Sequence, residues 1–138
     1  MAEYAKPIPV PTTETRPYWE AARKHVLLLP RCQDCNNTFF YPRLRCPNCF
    51  SDRITWVEAS GKGQVYTFTI VRRASEPFTK DTPYNVAFVL LEEGVKMLTN
   101  IVDCPLDKLQ VGMPVEVCFD DVSEEISLPK FRPATAAK

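Results

Sequence analysis

Residues 31–50 read RCQDCNNTFFYPRLRCPNCF, two CxxC steps separated by ten residues. In a CxxC step the chain makes a tight knuckle that turns both sulfurs toward one point. The intervening NTFFYPRLR predicts a hairpin that brings the two knuckles together. Cys32, Cys35, Cys46 and Cys49 would then complete a tetrahedron of thiolates around one Zn²⁺. Asp34, Pro47 and Asn48 are the turn formers such knuckles need. The spacing between the pairs is somewhat shorter than in most zinc ribbons, yet it closes a two-stranded finger. The competing use of CxxC is a redox pair. A shell closed by four thiolates leaves no position for water or substrate, so this pattern predicts a structural ion rather than a Lewis acid.

Downstream of the cysteines the pattern changes to period two. In ITWVEASGKGQVYTFTIVRR, Tyr66, Phe68 and Ile70 alternate with Val65, Thr67, Thr69 and Val71, which predicts a strand. YNVAFVLLEEGVKMLTNIV predicts two more, over 85–92 and 95–102, reversing at Glu93–Gly94. VGMPVEVCFDDV adds a fourth, with Val115, Val117 and Phe119 on one face, and LPKFRP a short fifth. An irregular loop, ASEPFTKDTP, follows the first strand. Short antiparallel strands of this kind suit a small closed barrel. The Gly61-x-Gly63 start of a long first strand favours an oligonucleotide/oligosaccharide-binding (OB) barrel over another small barrel or sandwich.

Upstream, residues 1–13 are rich in proline and threonine and predict an extended arm. TRPYWEAARKHVL predicts a helix from Thr15 to Val26, capped by Thr15, with Trp19, Ala22 and Val26 on one face. So short a helix is expected to expose Tyr18 and Trp19. The chain therefore divides as arm and helix (1–26), zinc ribbon (27–58) and barrel with tail (59–138). Its class is mainly β.

An apolar fraction of 45% and a charged fraction of 25% are those of an ordinary globular chain. No apolar run approaches the ~20 residues that span a bilayer. The start, MAEYAKPIPVPTTETRP, carries no export signal, so the expectation is a cytoplasmic, reducing setting where clustered cysteines hold metal. Net charge is zero, but its distribution is uneven. Residues 22–73 hold nine Lys/Arg against three acids (Asp34, Asp52, Glu58), and residues 74–128 hold three Lys (Lys80, Lys96, Lys108) against eleven acids. An anion would meet the first half.

Other catalytic chemistry is thin. His25, the only histidine, sits at the predicted helix end, where a cation suits the helix dipole. Cys104 reads as a small apolar residue, and Cys118 shares a strand face with Glu116 and Asp120. Neither has a local oxyanion hole or an orienting third group. The chain does not read as an enzyme by itself. Arg72, Arg73 and Lys62 with Tyr66, Phe68 and Phe78 do resemble a base-stacking surface, but the acidic barrel half speaks against a single-strand binder.

The order YW, RCQDCNNTFFYPRLRCPNC, GKGQVYTFTIVRR, PYNVAFVLLEEGVKMLTNI, LQVGMPVEVCF and LPKFRP resembles the acyl-CoA-associated zinc-ribbon/OB-fold family. The likeness runs from about residue 15 to 133. It implies a rubredoxin-like zinc ribbon followed by a five-stranded OB barrel. It also implies a non-catalytic subunit of a thiolase-superfamily enzyme (thiolase, aldolase or synthase) in acyl-CoA metabolism. Such a subunit braces its partner and helps shape the CoA channel. On that reading Arg72, Arg73, Phe78 and Tyr84 are candidates for lining the channel, and plain surface or core is the alternative for each. Tyr18, Trp19, Phe39, Phe40 and Tyr41 are candidates for docking the partner, or else they cover the ribbon's own small core. A stand-alone acyl-CoA-binding module and a nucleic-acid binder are the other classes that stay open.

Overall fold

The computed structural model describes residues 6–134; residues 1–5 of the expected arm and 135–138 of the tail lie outside the described residues. Helix α1 (Arg16–Arg23) is shorter at its C-terminus than the pattern predicts. His25 takes a left-handed φ of 64°. The Val26 N–H then reaches back to the Ala21 carbonyl (2.9 Å) and the His25 N–H to the Ala22 carbonyl (2.8 Å), which closes the helix. Thr15 holds the cap position without capping, because its hydroxyl accepts the Thr12 N–H at 2.9 Å instead.

Two strands, β1 (Leu28–Cys32) and β2 (Ile54–Glu58), pair antiparallel with Cys32 opposite Ile54. The finger is therefore closed by the flanks of the cysteine block. The expected hairpin inside NTFFYPRLR does not form: the segment makes one bridge, Thr38 to Arg31. Phe39 is drawn into the interior, and Pro42, which lacks an N–H, is buried as well.

The second sheet holds β3 (Lys62–Val71), β4 (Tyr84–Leu91), β5 (Lys96–Thr99), β6 (Pro114–Asp121) and β7 (Ser127–Pro133) in the order β5-β4-β3-β6-β7, all antiparallel. It curls until Ile101, just past β5, bridges in parallel to Phe131 of β7, where the Val102 N–H donates to the Phe131 carbonyl at 2.7 Å. Buried Asn85 fixes that seam. Its amide donates to the Ile101 carbonyl (2.8 Å) and accepts the Ile101 N–H (2.7 Å), so neither end is left unpaired. Five strands closing in this way make the OB barrel.

One strand departs from simple alternation. A bulge between Val65 and Thr67 sets two residues against one, so Tyr66 (47% exposed) and Thr67 both face outward. Phe68 and Ile70 pack against the core, as does Val65 before the bulge. The face that unites Tyr66, Phe68 and Ile70 in the sequence is thus split. The two glycines of the first strand have separate reasons. A Cβ on Gly61 (φ 78°) would stand 2.5 Å from Val117 Cγ1, and one on Gly63 would stand 2.4 Å from the Leu90 carbonyl oxygen.

Helix, ribbon and barrel share one interior. Tyr18, Trp19 and Ala22 of α1 and Leu29 of β1 belong to the same cluster as Val65, Val89, Met97 and Phe131 of the barrel. The expectation that the helix exposes its aromatics is therefore corrected: Tyr18 is 2% and Trp19 7% exposed. A barrel this small gains core volume by taking in the helix face.

Candidate metal centre and binding surfaces

The structure brings Cys32, Cys35, Cys46 and Cys49 together, with every sulfur within 4.8 Å of the others. Cys32 and Cys49 lie 3.5 Å apart and Cys35 and Cys46 3.6 Å. Four sulfurs at the Zn–S length of about 2.3 Å would be about 3.8 Å apart, so the cluster matches a tetrahedral shell. Two equivalent knuckles supply them. Each ends on a left-handed residue, Asn36 after Cys35 (φ 62°) and Phe50 after Cys49 (φ 70°). Within each, a backbone N–H donates to the first sulfur: Asp34 N–H to Cys32 Sγ and Asn48 N–H to Cys46 Sγ, both at 3.3 Å. The side-chain amide of Asn48 donates to Cys35 Sγ (3.5 Å), crossing from one knuckle to the other.

The thiols are poised for a cation. Burial pushes the Cys46 thiol up, but the N–H groups of Cys49 and Asn48 outweigh it and bring it down to about 6. Cys32 is likewise lowered, against its burial, by N–H groups from Cys35 and Asp34. The Ser51 N–H favours the Cys49 thiolate, yet the neighbouring sulfurs of Cys32, Cys35 and Cys46, together with burial, push that thiol up to about 12. Four sulfurs so close cannot all ionise alone; a divalent ion at their centre removes the conflict. The donor set fits structural Zn²⁺ held by these four cysteines. A polar clasp outside the shell locks the knuckles in register: Asp34 accepts from the Ser51 hydroxyl and, at 2.9 Å, from the Arg53 guanidinium. In the sequence pattern Asp34 and Asn48 stand out only as turn formers. Their contacts appear once the knuckles face each other.

The remaining candidates separate. Phe78 and Tyr84, their ring centroids 6.4 Å apart, line one cleft of about 400 Å³ between the 79–81 turn, the start of β4 and β7. Its polar rim is Lys6, Asp81, Asn100 and Lys130, none of which the sequence singled out. Lys6 pairs with Asp81 at 2.8 Å, so the arm is tied across the cleft mouth. Arg72 and Arg73 are exposed and lie outside this lining. Of the aromatic candidates, Phe39, Tyr18 and Trp19 are each buried, Phe40 is half-buried, and Tyr41 is 42% exposed. His25 stacks on Phe119 (5.0 Å, 6°) and its Nε2 meets Asp121 at 2.9 Å, fastening the helix end to β6. No helix among the described residues is long and apolar enough to cross a membrane.

Two family profiles match in tandem, that of the ChsH2 rubredoxin-like zinc ribbon domain over residues 19–55 and that of the ChsH2 C-terminal OB-fold domain over 56–120. A DUF35 domain-containing scaffold protein of Methanothermobacter thermautotrophicus is 35% identical over 131 residues, 89% of this chain and 98% of its own length. A probable enoyl-CoA hydratase alpha subunit of Thermomonospora curvata is 36% identical over 129 residues, 94% of this chain, and this chain spans 40% of that relative's length. Among solved structures, a chain of the Ltp2-ChsH2(DUF35) aldolase superposes with a TM-score of 0.83 at 36% identity, covering 93% of this chain and 100% of the other. With the two profiles in tandem over most of its length and a relative matched almost end to end, the chain belongs to the DUF35 family of ChsH2-type zinc-ribbon/OB-fold proteins.

Proposed function

We propose that this protein is a non-catalytic accessory subunit of a thiolase-superfamily enzyme acting on acyl-CoA thioesters. The observation that carries the reading is the end-to-end match to a chain of the Ltp2-ChsH2(DUF35) aldolase, supported by the name of the archaeal scaffold relative. The closed Cys₄ shell suits such a role, since it stabilises the fold and offers no open coordination position. Carbon–carbon bond cleavage or formation beside the thioester would take place in the partner. The Phe78–Tyr84 cleft, with lysines at its rim, is where this chain would contact CoA, and Arg72 and Arg73 would approach the phosphates from outside it. The test is a tagged pull-down from the native host with mass spectrometry. A thiolase-superfamily protein recovered in near-stoichiometric amount is the expected result; recovery of nucleic acid alone, or of nothing, would overturn the proposal. In the assembled enzyme, Arg72→Ala/Arg73→Ala and Phe78→Ala should each raise KM for acyl-CoA, and an unchanged KM would remove this chain from the CoA site.

A further inference from the structure

The outer surface of the barrel sheet is divided. On β6 and β7 it is charged and internally paired, with Arg132 to Glu116 at 3.0 Å and Lys130 to Asp120 at 2.8 Å. On β4 and β5, together with Tyr66 of β3, it is largely apolar, while the rest of outer β3 (Lys62, Gln64, Thr67, Thr69) is polar. Phe88 (41% exposed) lies directly opposite Leu98 (56% exposed) across β4 and β5. The bulge sets Tyr66 beside Phe88 on the same outer side. Cross-strand rows of this kind normally stabilise a sheet through half-buried pairs, and here three large apolar side chains stand in solvent. The row continues at Leu98 toward Tyr41, because Leu98, Phe40 and Tyr41 border one groove between ribbon and barrel.

Lys96, at the start of β5, reaches over this face and holds its ammonium 4.2 Å from the centroid of the Tyr66 ring. Lys96 makes no ion pair with a carboxylate among the described residues. A cation held over an aromatic ring within an apolar field attracts an anion from outside, and covering the field would strengthen that attraction by excluding water. The strands involved are the first three of the OB barrel, and the face of the second and third is the usual ligand platform of this fold. A nucleic-acid platform needs a positive groove that tracks many phosphates, and the two lysines of these strands, Lys62 and Lys96, do not supply it. The chemistry fits a protein surface.

We infer that the β3–β5 face built from Tyr66, Phe88, Leu98 and Lys96 seats the catalytic subunit, which covers it with apolar side chains and brings a carboxylate to Lys96. This rests on the accessory-subunit reading above. The bulge gains a purpose on this account: it turns Phe68 and Ile70 to the core while Tyr66, next to buried Val65, stays outward beneath Lys96. Burial of aromatic anchors with one complementary charge is how stable interfaces gain affinity.

The experiment measures the Kd between the full-length, zinc-loaded chain and the purified thiolase-superfamily protein identified with it in the pull-down. Phe88→Asp should weaken binding by a hundredfold or more. Lys96→Glu should weaken it about tenfold and reduce the sensitivity of Kd to salt. Leu44→Asp, an exposed apolar position on the ribbon, should leave Kd unchanged. Far-UV circular dichroism and zinc content check each variant, and Lys96→Glu decides should Phe88→Asp misfold. An unchanged Kd for folded Phe88→Asp or Lys96→Glu overturns this inference and leaves the subunit reading standing. Wild-type protein that self-associates through the face, losing this with Phe88→Asp, overturns the choice of partner, and protection of the face by single-stranded nucleic acid does the same. A wild-type chain that retains no thiolase-superfamily protein overturns both readings.

Discussion

Replacing Trp19 with alanine separates a core residue from a docking residue. Trp19 is 7% exposed and meets Tyr18 edge to face, with ring centroids 4.9 Å apart at 83°. A buried tryptophan hides about 200 Å². At about 25 cal/mol per Å², losing most of that area costs about 3–4 kcal/mol. Losing the aromatic pair adds about 1 kcal/mol. The total agrees with the ~3–5 kcal/mol typical of such truncations. It is a large share of the ~5–15 kcal/mol that holds a domain together. With a urea m-value of about 2 kcal/mol per M, the unfolding midpoint should fall by about 2 M. The assay is urea unfolding followed by far-UV circular dichroism at fixed zinc concentration. A midpoint shift below about 0.5 M, together with loss of partner capture by the folded variant, would refute the assignment of Trp19 to the core.

Three further outcomes follow from particular contacts. Gly63→Ala forces a Cβ to within 2.4 Å of the rigid Leu90 carbonyl oxygen, and should cost about 3 kcal/mol or more, read as lost soluble yield and a lower Tm. Metal analysis should give one zinc per wild-type chain. Cys46→Ser should lose the metal and melt the ribbon, whereas Cys104→Ser and Cys118→Ser should keep it, since neither sulfur belongs to the cluster. Asp121 is held below its ordinary value of 3.8, first by the Ser127 hydroxyl and then by His25. A depressed carboxylate contributes stability that is complete above that ordinary value and is lost as pH falls through the lower folded value. Asp121→Asn should therefore flatten the acid limb of the stability profile below about pH 4 and leave its slope near pH 7 almost unchanged, as acid titration followed by circular dichroism can check.

Much of the metal centre is legible in the chain because its determinants are local. A CxxC step fixes two sulfurs within four residues, and the turn formers Asp34, Pro47 and Asn48 lie inside the same knuckles. The strands after residue 60 are similarly legible, because side-chain alternation with period two needs only neighbouring residues. The start of β3 at two glycines is legible too, since only a backbone without Cβ suits so close an approach.

What the sequence did not contain is which of several adequate partners each element would choose. Nothing in NTFFYPRLR announces that β1 and β2 would close the finger from outside, because that pairing joins residues more than twenty positions apart. The bulge at Tyr66 is invisible to a period count: one extra residue turns the following strand by a face, and only the pairing with β4 records it. The fate of Tyr18 and Trp19 depended on whether the barrel interior could accept the helix, a question of volume that no local pattern answers. The Asn85–Ile101 seam and the meeting of Phe78 with Tyr84 and Lys6 likewise required the chain to return on itself. Sequence determined the ion-binding chemistry and the strand content through short-range geometry. Tertiary structure decided which aromatics are interior and which remain for a partner, because burial depends on the competition of all apolar surfaces for one core.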